Sequence, residues 1–95
     1  MKRKEILSAA EQCVCGKREQ DYGSPEDNFK KIADLWSSYM GVDFTATNVS
    51  VMMALLKIAR IASNPLHMDN WVDGCGYLAC GGEIAGGDNA KTEAV

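Results

Sequence analysis

Residues 56–77, LKIARIASNPLHMDNWVDGCGY, decide the fold. They read as the end of one apolar helix, an Asn64-Pro65 break, and the start of a second helix. Proline disfavours a helical residue before it, so the first helix stops near Asn64. So short a linker makes the two helices antiparallel neighbours. Lys57, Arg60 and Asn64 fall on one face of the first, and Asp69, Asp73 and Tyr77 on one face of the second. The count along the linker brings Arg60 level with Asp73. A basic row facing an acidic row is either a cleft for phosphate and metal or an ion-pair seam joining the helices. Spacing alone leaves both open.

Working toward the N-terminus, VSVMMALLKIARIA (residues 49–62) is apolar nearly all round and is expected to be the most buried helix. Thr45 suits its N-cap, with Phe44 and Val49 in the two places of a hydrophobic staple. Ser24-Pro25-Glu26-Asp27 is a second helix start: serine caps, proline fits the first helical position, and the acids favour the positive end of the helix dipole. Phe29, Ile32, Ala33, Trp36 and Tyr39 or Met40 supply its buried face, and Gly41 ends it. Ile6, Leu7, Ala10, Cys13 and Val14 form an amphipathic stripe over about residues 3–15, with Gly16 suited to close that helix. Residues 17–23, KREQDYG, are expected to be a polar connector. The last helix starts at Asp69 or Asn70 and runs to about Ile84; its glycines give up intrinsic helix propensity but permit close approach of a neighbour. The expected architecture is all-α, a small four-helix bundle over residues 1–85. Such a bundle leaves apolar surface uncovered, so a homo-oligomer is expected. A flexible tail is expected over 86–95.

Ninety-five residues make one domain, and 46% apolar content is ordinary for a globular one. A net charge of −3 gives no overall attraction for nucleic acid. No uninterrupted apolar run reaches the roughly 18–20 residues of a membrane span, so no membrane partner and a cytoplasmic location are expected. Cys13, Cys15, Cys75 and Cys80 lack the spacing of a zinc ribbon and read as thiols in a reducing compartment. One histidine, His67, excludes a histidine metal triad within the chain, and no phosphate-loop motif is present.

A second cluster lies in the connector. A polar segment leading into a helix start can present backbone N–H groups to an anion. Tyr22 could stack on a base, and Asn28 offers an amide. The alternative is a loop anchor with solvated charges, Gly23 supplying a positive φ.

Three stretches together carry a resemblance: REQDYGSPEDNFKKIADLW (18–36, pattern R-x-x-DYG-x-P-x-x-NF-x-x-IA-x-x-W), MM-x-LLKIAR (52–60) and D-x-W-x-D-x-x-GY (69–77). Over roughly residues 5–85 the chain resembles small, mostly phage- and prophage-encoded helical proteins of unassigned function. More distantly it is similar to the MazG-like all-α NTP pyrophosphatases and to phage nucleotide-modification-associated domains. That resemblance implies binding of a nucleotide with Mg²⁺. Arg18, Lys57 and Arg60 would meet phosphates, Tyr22 or Tyr77 with Asn28 the base, and Asp69 with Asp73 the metal. The pyrophosphatases carry E-x-x-E and E-x-x-D motifs, and this chain has neither. Binding is thus the expectation, with hydrolysis resting on too few carboxylates. The rival from a different class is a protein-interaction module with an apolar patch near Leu66, Met68 and Trp71, its charged rows serving only as ion pairs.

Overall fold

A computed structural model describes residues 1–87. They form α1 (Arg3–Gln12), a π-helical turn (Cys13–Lys17), α2 (Arg18–Tyr22), α3 (Pro25–Met40), α4 (Ala46–Ser63) and α5 (Met68–Gly86). The first three run on as one kinked rod, so four helical rods pack together with no strand among the described residues. The all-α bundle expected from the sequence is what forms. Of the segment expected to be a flexible tail, Gly86 closes α5, and residues 88–95 lie outside the described residues.

Local chemistry sets each boundary. Ser24 Oγ accepts from Asp27 N–H at 3.3 Å with Pro25 in the first turn, and Gly41 closes α3 in the left-handed region at φ 70°. Thr45 and Asn48 exchange hydrogen bonds as a capping box, 3.1 and 3.0 Å long. Phe44 and Val49 both join the core, as the staple requires, and Phe44 meets Trp36 edge-to-face with ring centres 6.1 Å apart. Phe29, Ala33, Val49 and Cys80 form the core centre, with Val14, Ile32, Trp36, Met53 and Tyr77 packed around it.

Two expectations are corrected. The segment 17–23 is not a loop: the first helix breaks at Gly16, whose φ −112° and ψ −109° are not helical, but helix resumes across that kink and continues to Tyr22. A kink of this kind re-aims the side chains beyond it. Gly23, at φ 81°, makes the actual stop. Nor is α4 buried all round. It packs against α5 and α3 through Val49, Ser50 and Ala54, while Val51, Met52, Leu55, Leu56 and Ile58 stay exposed. By length and composition alone α4 is apolar enough to cross a membrane, which counting uninterrupted runs did not anticipate. In the bundle it lies along α5, its closest neighbour.

The α4–α5 contact is tight because α5 turns glycine toward α4. A Cβ at Gly81 would fall 2.9 Å from Ser50 Cβ, and closer still to its Oγ. Ser50, fully buried, donates through that hydroxyl to the Tyr77 carbonyl. On the opposite side of α5, a Cβ at Gly76 would stand 3.0 Å from Val14 Cγ1, so the first rod also approaches through a glycine.

Candidate functional site

Helical continuation through the connector decides what the N-terminal rod can present. Arg18 and Tyr22 lie four residues apart in α2 and so share a face. The Arg18 guanidinium carbon sits 6.0 Å from the Tyr22 ring centre and 5.6 Å from that of Tyr77, which projects from α5. One cation is thus held between two aromatic rings from different rods. Tyr77 also leans on Phe29 of α3, with ring centres 6.2 Å apart. No carboxylate pairs with Arg18 among the described residues.

Two small cavities of about 20 Å³ meet at Arg18. The first reaches Tyr22, Gly23 and Asn28 at the start of α3. The second reaches Asp73, Gly76 and Tyr77 on α5. Outside them, an open depression of about 280 Å³ runs along Cys13, Lys17, Arg18, Asp21 and Tyr22. Five of the residues singled out in the sequence, Arg18, Tyr22, Asn28, Asp73 and Tyr77, therefore border one cleft between α2, α3 and α5. Cys80 forms part of its floor. Burial and the nearby Glu83 raise the Cys80 thiol's pKa above its ordinary 9.0, while the Arg18 charge pulls the other way.

Lys57 belongs to this neighbourhood only through Asp73. Its Nζ lies 3.0 Å from Asp73 Oδ2, with the lysine side chain 12% exposed and the aspartate 35%. The expected Arg60–Asp73 pairing is wrong by one helical turn. In the antiparallel hairpin, residues equidistant from Pro65 face each other, so Lys57 meets Asp73 and Arg60 comes level with Asn70. Arg60 accordingly lines a separate, open depression with Ser63, Asn64, His67 and Asn70. Asp69 is exposed in the first turn of α5 and enters no ion pair among the described residues. The basic and acidic rows do face each other, and the contact between them is an ion pair.

Asp69 and Asp73, the carboxylates expected to hold Mg²⁺, have no third ligand-type side chain converging on them among the described residues. No three His, Cys, Asp or Glu side chains converge as a metal-binding group among the described residues. Asp73 is already neutralised by Lys57. A cation holding phosphates for hydrolysis needs several convergent oxygens, and Asp69 with Asp73 is not that donor set. At the α4–α5 turn, Leu66 and Trp71 are exposed, while Met68 is half-buried. Trp71 Nε1 donates to the Pro65 carbonyl at 2.9 Å, bracing the turn.

Sequence reasoning overlooked three parts of this cleft. Lys17 was grouped with the connector but given no role, while the Gly16 kink that sets where Arg18 stands and Cys80 in the floor were read separately from it. The connector's composition, strongly polar with no proline before Pro25, was the available sign that helix could continue.

Comparison with known proteins agrees with the motif reading at the level of family. The family described as "Domain of unknown function (DUF6378)" matches residues 5–85. The "Gene 55 protein" of Mycobacterium phage L5 is 51% identical over 73 residues, covering 76% of this chain and 47% of that protein. The "Gene 55 protein" of Mycobacterium phage D29 is 39% identical over 75 residues, covering 79% of this chain and 50% of its own length. The chain thus spans about half the length of the curated relatives it matches. No solved structure matches significantly.

Proposed function

The chain belongs to the DUF6378 family, which has phage-encoded relatives, and from that premise we propose that it binds a phosphorylated small molecule, a nucleotide, in the cleft around Arg18. The observation that carries this reading is the Arg18 guanidinium held between Tyr22 and Tyr77 without a carboxylate partner among the described residues. Stacking against a ring occupies the face of a guanidinium and leaves its N–H edge free, the edge that meets phosphate oxygens in a bidentate fork. Lys17 adds a second cation along the same open depression. Tyr22, 62% exposed, offers a ring face for a base, and Asn28 offers an amide that can both donate and accept.

Size supports a ligand lying along the cleft. Cavities of about 20 Å³ hold little more than a water. The adjoining depression of about 280 Å³ approaches the roughly 300 Å³ at which small-molecule sites begin. A single nucleoside phosphate fits that description better than a buried cofactor does. Hydrolysis is not part of the proposal, because the MazG-like carboxylate motifs are missing and Asp73 is committed to Lys57.

Thermal shift and calorimetry with nucleoside mono-, di- and triphosphates test the reading. A ligand at about 100 times its Kd raises stability by about 2.7 kcal/mol. No shift with any of them, alongside a folded protein, rejects the proposal.

A second reading, an interaction module, draws on the exposed Leu66 and Trp71 at the α4–α5 turn. Trp71→Ala separates the two: it leaves nucleotide binding unchanged if the Arg18 cleft is the site.

A further inference from the structure

One face of α4 is apolar and uncovered. Val51, Leu55, Ile58 and Ala62 follow one another at steps of four, three and four residues, with Asn48 three places earlier. All are exposed: Val51 by 45%, Leu55 by 57% and Ile58 by 54% among the large ones. Steps of three and four are the spacing of a helix seam built to receive another helix. Met52, Leu56 and Ala59 widen the seam on one side, again without charge. The two cations of α4 lie off it, Lys57 turned to Asp73 and Arg60 to the depression at the hairpin's end.

We propose that this seam is occupied by a second copy of the chain, α4 packing antiparallel on its counterpart about a two-fold axis close to Leu55. Three observations choose this occupant. The seam carries no charge, so it offers nothing for an oppositely charged partner to read and meets no like-charge penalty against itself. It is centred on Leu55: in an antiparallel pair Asn48 comes opposite Ala62, Val51 opposite Ile58, and Leu55 opposite Leu55, so large residues meet smaller ones at either end.

The third observation is area. The chain exposes 7216 Å², against roughly 5,400 Å² for a compact monomer of 10.3 kDa. Even were residues 88–95 assigned the full roughly 1,200 Å² of an unfolded segment, the remainder would exceed the roughly 5,000 Å² of a compact chain of the other 87 residues by about 1,000 Å². A standard interface takes about 800 Å² from each partner. A bilayer is the poorer occupant. Helices that lie in a membrane surface carry lysine and arginine beside the apolar face, whereas Lys57 is turned inward and the chain is net −3.

Light scattering on the full chain tests the proposal, with twice the 10.3 kDa chain mass expected. Leu55→Glu and Leu55→Lys should each run at single mass while keeping a helical spectrum and a cooperative melt. Mixing them should restore the double mass, because the two charges meet at the axis. Ala62→Glu, at the exposed end of the seam, reads the same interface with less burden on folding and should raise the dimer dissociation constant tenfold or more. A wild-type monomer overturns the proposal. So does a dimer indifferent to both Leu55 variants, or to Ala62→Glu if the Leu55 variants fail to fold. Folded Leu55 variants that do not associate on mixing overturn the two-fold geometry. A monomer that sediments with phosphatidylserine vesicles, and stops doing so as Leu55→Glu, assigns the seam to membrane instead.

Discussion

Lys57 Nζ stands 3.0 Å from Asp73 Oδ2, and this pair locks α4 and α5 in register eight residues to either side of Pro65. The lysine is nearly buried and the aspartate about a third exposed, so solvent screens part of their attraction. Removing one partner strands the other. Asp73→Ala should therefore lower stability by about 1–3 kcal/mol in urea denaturation. The double change Lys57→Met with Asp73→Leu should recover most of that loss, because an apolar pair of similar volume leaves no stranded charge. A silent Asp73→Ala would show that the pair contributes nothing to holding the hairpin.

Gly81 makes a separate demand on the same hairpin. Its missing side chain is where Ser50 of α4 sits, and Ser50 is itself tied to the Tyr77 carbonyl. Elsewhere in an exposed helix, Gly→Ala would gain up to about 1 kcal/mol in propensity. Here Gly81→Ala should destabilise by about 1–3 kcal/mol, since backbone would have to move to make room. Adding Ser50→Gly should return part of the loss, which thermal melts of the three variants can read.

Helix starts and stops were legible because each rests on two or three neighbouring residues: Ser24 with Pro25, Thr45 with Asn48, Gly41 alone. The hairpin was legible from Pro65. Its register was not, because one helical turn of error leaves the same residue types facing one another, and only equidistance from Pro65 separates Lys57 from Arg60. Membership of the Arg18 cleft was half legible. Tyr22 or Tyr77 was expected to meet a base, and the two come from motifs far apart in sequence. That they flank a single guanidinium depends on the kink at Gly16: the glycine marks a break in the helix, but not the direction in which helix resumes. The bare face of α4 was misread for another reason: an apolar helix looks the same whether its outer side meets its own chain or another.

Arg18 is the residue on which the proposed nucleotide binding turns. Arg18→Ala should abolish the thermal shift produced by a nucleotide while leaving the ligand-free melt within about 1 kcal/mol, as a surface cation between rings contributes modestly to stability. Arg18→Lys should not rescue it, because an ammonium keeps the charge but loses the planar fork and the stacking. Full rescue by lysine would point to a diffuse electrostatic contact.

Cys80 reports on the floor of the cleft. Burial and Glu83 raise its thiol pKa above 9.0 in the folded chain, whereas in the unfolded chain it titrates near the ordinary value. Between those two pH values the unfolded state has lost a proton that the folded state keeps, so stability falls as pH rises past about 9 and is unaffected below it. Cys80→Ala should remove that part of the alkaline slope, at a cost for the smaller side chain that is the same at neutral pH. The same burial orders the thiols by reactivity: at mildly alkaline pH Cys13 and Cys15, both exposed, should react with a disulfide reagent well before Cys80. A nucleotide seated against Arg18 should slow Cys80 further, because it covers the cleft above the thiol. If Cys80 reacts as fast as Cys13 in the folded protein, the cleft floor is open and that part of the site is wrong.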